Sequence, residues 1–272
     1  MKLVNLFPYF GGKYRMVKKL LPLFPKHYMY VEPFCGSCVV LLNKTRSNRE
    51  VINDKSNEIY NLFTVVKNKP DVFYDSFKYT FTSRTYFYDL LNTDVTKLND
   101  IQKAHRFFYF INHVYNSAPT TKMFRSSRYT LSKLNYNSLK ERIDLVYDRL
   151  KNVYIECLDY KELFDKYDYD KVFYFIDPPY YSENTKNKNT YEYVHTFVIK
   201  DFIALANRLK DIKGKFLMTI NDCSFTRNTY KDFNLSTMSM AYSCGSESKG
   251  VAKSTELIVS NYDIKPKRWK LK

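Results

Sequence analysis

Along the first 67 residues, apolar runs alternate between two spacings, and turn residues separate them. "YMYVEPF" and "REVIND" are short unbroken apolar runs that predict buried strands. "GGKYRMVKKLLPLF", "GSCVVLLNK" and "SNEIYNLFTVVKN" carry apolar residues at helical spacing, the last with Ser56 as its expected cap. This is the grammar of βαβ units. From Pro70 to Arg149 the strand signal stops, and "DVFYDSFKYTF", "SRTYFYDLLN", "DIQKAHRFFYFINHVY" and "SLKERIDLVYDRLKN" all predict helices. Alternation returns with "VYIEC", a short helix after Asp159, the strand "KVFYFIDPPYY", a helix around "DFIALANRLKD", and the strands "KFLMTIND", "STMSMAYS" and "TELIVSNY". The pattern predicts one doubly wound α/β domain interrupted by a mainly helical insert.

Ligands in such folds bind beyond the carboxyl ends of the strands, so the residues that end strands are the candidates for chemistry. Four groups stand there: "EPFCGS", "ND" at 53–54, Asp159 with Tyr160, and "DPPY". In "FYFIDPPYYS" two prolines, with fixed φ and no N–H, make a stiff turn after an apolar strand. Asp177, the carbonyl of Pro178 and the ring of Tyr180 are thereby set at one edge, with Pro179 bracing the turn. A planar amine can donate to the carboxylate and the carbonyl while its base stacks on the ring, a geometry suited to a nucleobase swung out of a duplex.

Charge narrows the partner. Lys and Arg number 44 against 28 Asp and Glu, a net charge of +16 over 272 residues. AT-rich coding also favours lysine, so the distribution matters more than the total. From Ile101 to Lys140 there is no acid, while Lys103, Arg106, Lys122, Arg125, Arg128, Lys133 and Lys140 are basic. Such a window fits a polyphosphate backbone. No apolar run approaches a membrane span, and "LVNLFPYF" is too short and broken for a signal peptide, so a soluble protein kept inside the cell is expected. Cys35 and Cys38 form a C-x-x-C frame that could be a redox dithiol, half a zinc site or a tight turn. With five cysteines in all and four scattered histidines, neither a disulfide framework nor a closed zinc site is expected.

The collinear motifs resemble those of the Dam-type, D12 class DNA adenine N6-methyltransferases, over about 1–67 and 150–262. "PYFGGKY" is similar to that family's first cofactor motif, with Tyr9 and Lys13 flanking a glycine turn. "VEPFCGSCVVLLN" resembles its cofactor loop, with Phe34 and Gly36 beside the methionine moiety. "INDKSNEIYNLF" supplies Asp54 for the ribose hydroxyls. "ECLDYKEL" puts Asp159 near the exocyclic amine of the cofactor's adenine and Tyr160 against its ring. "DPPY" is similar to the catalytic motif, Asp177 to Tyr180, and "STELIVSNY" follows in order with Glu256.

The resemblance implies a Rossmann-like methyltransferase domain from 1–67 and 150–272, interrupted at 68–149 by a helical target-recognition domain. It implies S-adenosylmethionine as methyl donor, with Lys13 free to pair its carboxylate, and no metal. It further implies double-stranded DNA as partner, a monomer, a cytoplasmic setting in a bacterial cell or phage-infected host, and room for a cognate restriction endonuclease.

Two departures stand out. Cys38 occupies the place of the family's second glycine. The insert keeps "FIN…YN", with Asn112, Tyr115 and Asn116, then leaves the pattern of relatives that read GATC, so that target is not implied. Asn112, Tyr115, Asn116, Lys122, Arg125 and Arg128 are the expected DNA contacts, the arginines reading guanine edges or holding phosphates. Three alternatives stay open: RNA adenine as substrate, cytosine N4, or a nucleic-acid-binding module with a decayed enzyme core. The Asp of "DPPY" favours adenine, because relatives acting on other amines tend to begin that motif with Ser or Asn. The loop "SENTKNKNTYEYVHTF" is expected as a lid or as plain surface, with His195 facing solvent, and "KPKRWKLK" as a loose end.

Overall fold

Among the described residues, seven strands form one sheet in the order β3-β2-β1-β4-β5-β7-β6. They are β1 (Met29–Glu32), β2 (Arg49–Asn53), β3 (Val153–Glu156), β4 (Val172–Ile176), β5 (Lys215–Asn221), β6 (Asn234–Ala241) and β7 (Lys253–Ser260). The structure, a computed structural model, describes residues 3–125, 134–182, 197–241 and 253–264. β1 to β5 pair in parallel, and β7 runs antiparallel between β5 and β6. β1 and β4 are buried along their whole length. Central parallel strands are covered on both faces, which is why "MYV" and "VFYFI" show no polar alternation. The strand order reverses between β1 and β4, so the chain leaves these neighbours in opposite directions and a crevice opens at their carboxyl ends.

The helices are α1 (Val17–Leu20), α2 (Val39–Asn43), α3 (Asn57–Asn68), α4 (Pro70–Asp75), α5 (Arg84–Asn92), α6 (Asp100–His113), α7 (Leu139–Leu150), α8 (Tyr160–Tyr167), α9 (Ile199–Lys210) and α10 (Ser224–Thr229). Three differ from expectation. The helix read after Gly11 is broken into 3-10 turns at Lys13–Arg15 and Leu21–Leu23 around the one-turn α1, with Pro22 inside the second turn. The helix expected through Phe81 stops at Asp75 and gives way to turns. The short α10 has no periodic signal of its own. Ser56 does stand at the start of α3, but its side chain makes no capping bond; Asp54 Oδ1 accepts from the Ser56 N–H instead.

The insert packs against α3 rather than standing apart. Its longest helix, α6, opens with a reciprocal cap between Asn99 and Gln102 and buries Ala104, Phe107, Phe108 and Ile111. These join Phe73, Phe87 and Ile143 in an apolar cluster that runs without a break to Leu62 and Phe63 of α3 and Tyr30 and Phe173 of the sheet. The second cluster, under α8 and α9, fills the other face.

One charged knot ties the end of the insert to the sheet. Glu50 of β2, buried, accepts from Arg149 Nη1 and Nη2 of α7 at 2.5 and 2.8 Å and from Lys44 Nζ at 2.7 Å. Arg149 Nε also donates to the Leu41 carbonyl of α2. Burial alone would push Glu50 up, but Arg149 and Lys44 outweigh it and hold the carboxyl below its ordinary value. Glu50→Ala leaves two cations without their anion in the interior. It should cost about 3–5 kcal/mol in urea unfolding; a loss under about 1 kcal/mol would show the knot to be solvated.

Candidate active site

The crevice at the β1/β4 switch is lined by the N-terminal loop 9–13, the loop after β1, the ends of β2 and β4, and the start of α8. Within the loop after β1, Gly36 adopts φ +48°, and a Cβ there would meet the Tyr9 ring at 3.1 Å. Tyr9 and Gly36 are thus locked face to face, which accounts for glycine at this position. Gly36 N–H donates to Asp54 Oδ2 at 3.0 Å. Asn53 reaches the Pro33 and Leu158 carbonyls and accepts from Leu158 N–H, tying β1, β2 and the segment before α8 together.

Cys38, where the second glycine was expected, takes φ 57°, ψ 21°, the left-handed conformation glycine favours. The backbone shape survives the substitution, at a cost of roughly 1 kcal/mol or more. Cys38 caps nothing with its side chain; the carboxyl of Glu32 accepts the Leu41 N–H in the first turn of α2 instead, along with the Tyr30 hydroxyl. Burial pushes the thiols of both Cys35 and Cys38 up, which keeps them protonated and weakly nucleophilic. Among the described residues no cluster of His, Cys, Asp or Glu is arranged to hold a metal.

On the far wall, Asp159 caps α8 through Lys161 N–H and pairs with Lys55 at 2.8 Å. Burial works against the Asp159 charge, yet the bonds to Lys55 and Lys161 hold its pKa below the ordinary value. Tyr160, buried, sits with its ring centroid 5.6 Å from Phe34 and 5.7 Å from Phe197. Phe34, Tyr160 and Phe197 thus form a three-ring wall. Phe197 was not singled out in the sequence, where it is one aromatic in a polar stretch; only the approach of the chain before α9 brings it here.

The opposite end holds the "DPPY" turn. Asp177 Oδ1 pairs with Lys13 Nζ at 2.7 Å and accepts from Thr219 Oγ1 at 2.8 Å. Lys13, expected to await a cofactor carboxylate, is buried and engaged with Asp177 and the Gly11 carbonyl, its ammonium 4.8 Å from the Tyr180 ring centre. Burial pushes Asp177 up, against the pull of Lys13 and Thr219. Among the described residues Asp177 Oδ2 and the Pro178 carbonyl accept no hydrogen bond, and both residues line the crevice. Thr219 and Asn221, which brace this turn from β5, were missed; their period-two spacing at the end of a strand that follows the motif was the available signal.

The insert's expected DNA contacts are dispersed. Tyr115 and Asn116 are exposed beyond α6, beside the crevice, since Phe10 N–H donates to the Ser117 carbonyl. Lys122 is exposed and Arg125 half-buried. Asn112, expected on the same surface, lies instead in the core, its amide bonded to the Phe108 carbonyl one turn back. Arg128, His195, most of the expected lid and the basic tail fall outside the described residues.

A sheet of this order with an antiparallel β7, opening at its switch point on a slot of rings and carboxylates, defines a Rossmann-like methyltransferase. The chain belongs to the D12 class N6 adenine-specific DNA methyltransferase family, whose profile matches residues 9–243. It is 26% identical to the type II methyltransferase M1.LlaDCHI of Lactococcus lactis subsp. cremoris, over 95% of this chain and 96% of that one. It is 24% identical to a DNA adenine methylase of Haemophilus influenzae, covering 91% and 90% of the two chains. The type II methyltransferase M.CviBI of Paramecium bursaria Chlorella virus NC1A is 23% identical, over 93% and 97%.

Glu32 supplies a pH test of the site's foundations. Burial, with the Asp177 charge nearby, raises its pKa from 4.5 to about 8, although the Tyr30 hydrogen bond opposes this. A carboxyl raised in the folded state favours folding below its unfolded pKa, and that contribution is lost as the pH rises through the folded one. Glu32→Gln keeps an acceptor for Leu41 and Tyr30 but cannot ionise. Its melting temperature relative to wild type should therefore climb between pH 5 and pH 8; a constant difference across that range would mean Glu32 is charged in the fold.

Proposed function

We propose that the chain transfers a methyl group from S-adenosylmethionine to N6 of an adenine swung out of double-stranded DNA. The observation that carries the reading is the pair of acceptors at the "DPPY" turn. Asp177 Oδ1 is anchored by Lys13 and Thr219, Oδ2 and the Pro178 carbonyl accept no hydrogen bond among the described residues, and both residues line the crevice. Two such acceptors suit an amine with two N–H bonds. Accepting both draws the nitrogen lone pair out of conjugation with the purine as charge develops, and Tyr180 offers the ring on which the base stacks.

The other end of the crevice fits the donor. Asp54 and Asp159 are carboxylates of the type that hold ribose hydroxyls and an adenine amine. Phe34, Tyr160 and Phe197 form an aromatic wall, and Gly36 lets Tyr9 and the loop backbone come close. When bound, S-adenosylmethionine supplies a sulfonium-borne methyl that in-line attack by an amine can take. The chain's own part is placement, worth up to ~7–11 kcal/mol when reacting atoms are held close to the attack geometry.

Tyr115, Asn116, Lys122, Arg125 and Arg128, in the acid-free window, are the residues assigned to DNA, and 68–149 is the segment assigned to target recognition. The setting proposed is the cytoplasm of a bacterial or phage-infected cell; among the described residues no helix is long and apolar enough to cross a membrane. Relatives named type II methyltransferases leave room for a cognate restriction endonuclease as partner.

Labelled methyl from S-adenosylmethionine should pass to unmethylated DNA and be recovered as N6-methyladenine. Asp177→Ala should lower the rate by roughly 100-fold or more while DNA is still bound. Recovery of N4-methylcytosine, or transfer to RNA alone, would sink the reading, as would an active Asp177→Ala protein. DNA affinity should also fall steeply from 50 to 200 mM salt, with a log–log slope of about −0.9 per phosphate contact. A flat response would show that the basic window does not meet the backbone.

A further inference from the structure

Glu256 is a carboxylate in a place the fold would fill with an apolar residue. It is 3% exposed, at the point where β7 continues into the buried Leu257, Ile258 and Val259. Burying a carboxylate is costly unless it is paired. One partner is the Tyr180 hydroxyl, which donates to Glu256 Oε2. Directly opposite Glu256 in the β5–β7 ladder stands Asn221. The Asn221 side-chain amide grips the backbone of Tyr181, accepting from its N–H and donating to its carbonyl, both at 2.9 Å. Two residues back on β5, Thr219 holds Asp177. The "DPPY" turn is therefore clamped at Asp177, Tyr180 and Tyr181 from two strands outside the motif.

We propose that Glu256 is a positioning residue for methyl transfer that works through Tyr180; the inference rests on the adenine N6 reading above. A charge-assisted hydrogen bond from the phenol fixes the plane of the ring and withdraws the proton's pull on the ring electrons. The ring face becomes more negative, and it already meets a cation in Lys13. In the reaction the carbon–sulfur bond breaks with its electron pair left on sulfur, and the N6 lone pair forms the new carbon–nitrogen bond. The base carries positive charge until an N–H proton leaves to solvent. An electron-rich ring stacked on that base favours it most when the charge is greatest. Neither Glu256 nor Tyr180 needs to exchange a proton.

The test compares wild type, Glu256→Gln, Tyr180→Phe and the double variant in single-turnover methyl transfer at saturating DNA and S-adenosylmethionine, with cofactor KM and melting temperature measured for each. Each single change should slow transfer by roughly 10-fold or more with KM and melting temperature little altered, because one charge-assisted hydrogen bond is lost. The double variant should be no slower than Tyr180→Phe. Glu256→Gln at the wild-type rate, or single losses that multiply in the double variant, would overturn the proposal. Should Glu256→Gln fail to fold, Tyr180→Phe decides alone: an undiminished rate overturns it. A wild-type protein that methylates no adenine would overturn the functional reading and this inference together, whereas a methylating wild type with independent variants overturns the inference only.

Discussion

A largely buried acid at the end of a central strand has to be held by partners that meet its charge. In this chain the bonds of Lys13 and Thr219 to Asp177 Oδ1 meet that demand. Much of the surrounding architecture follows from it. Lys13 must arrive buried, so the N-terminal loop is folded over the crevice and held by the Tyr9–Gly36 contact. Thr219 must face the same way as Asp177, which the parallel β4–β5 pairing arranges. The stiff prolines then carry the chain to Tyr180 and Tyr181, which β5 and β7 secure.

Lys13 also joins the N-terminal loop to the "DPPY" turn. The resemblance assigned it to the donor's carboxylate, but the structure engages it with the acid of the "DPPY" turn and sets it close to the Tyr180 ring. Beneath, Glu32 sits against the same group of charges and serves as the cap that Cys38 does not provide. The glycine-to-cysteine departure in the loop leaves the backbone left-handed, a conformation the small Cys38 side chain accepts, while Glu32 takes the Leu41 N–H whichever residue stands there.

The insert is joined to this centre by packing as well as by chain continuity. Its apolar cluster merges with α3 and the sheet, and Arg149 pins its last helix to β2 and α2. On the proposed function, a segment that presents DNA to the crevice gains from such a joint, because placement errors of an ångström are costly in a reaction that depends on approach. Tyr115 and Asn116 inherit their position beside the crevice from the Phe10–Ser117 bond.

The sequence alone determined the alternation of strands and helices, the helical insert, and the strand-end residues Gly36, Asp54, Asp159 and Asp177, because buried parallel strands and tight turns leave strong local marks in apolar spacing, glycine and proline. It also determined the family, through motifs in a fixed order. Tertiary structure decided what local pattern does not encode. It broke the first helix, drew Asn112 into the core, turned Lys13 onto Asp177, and brought Phe197, Thr219, Asn221 and Glu256 to the site from distant segments. Each of those outcomes depends on which side chains meet across the sheet, and that is fixed only when strands far apart in sequence become neighbours.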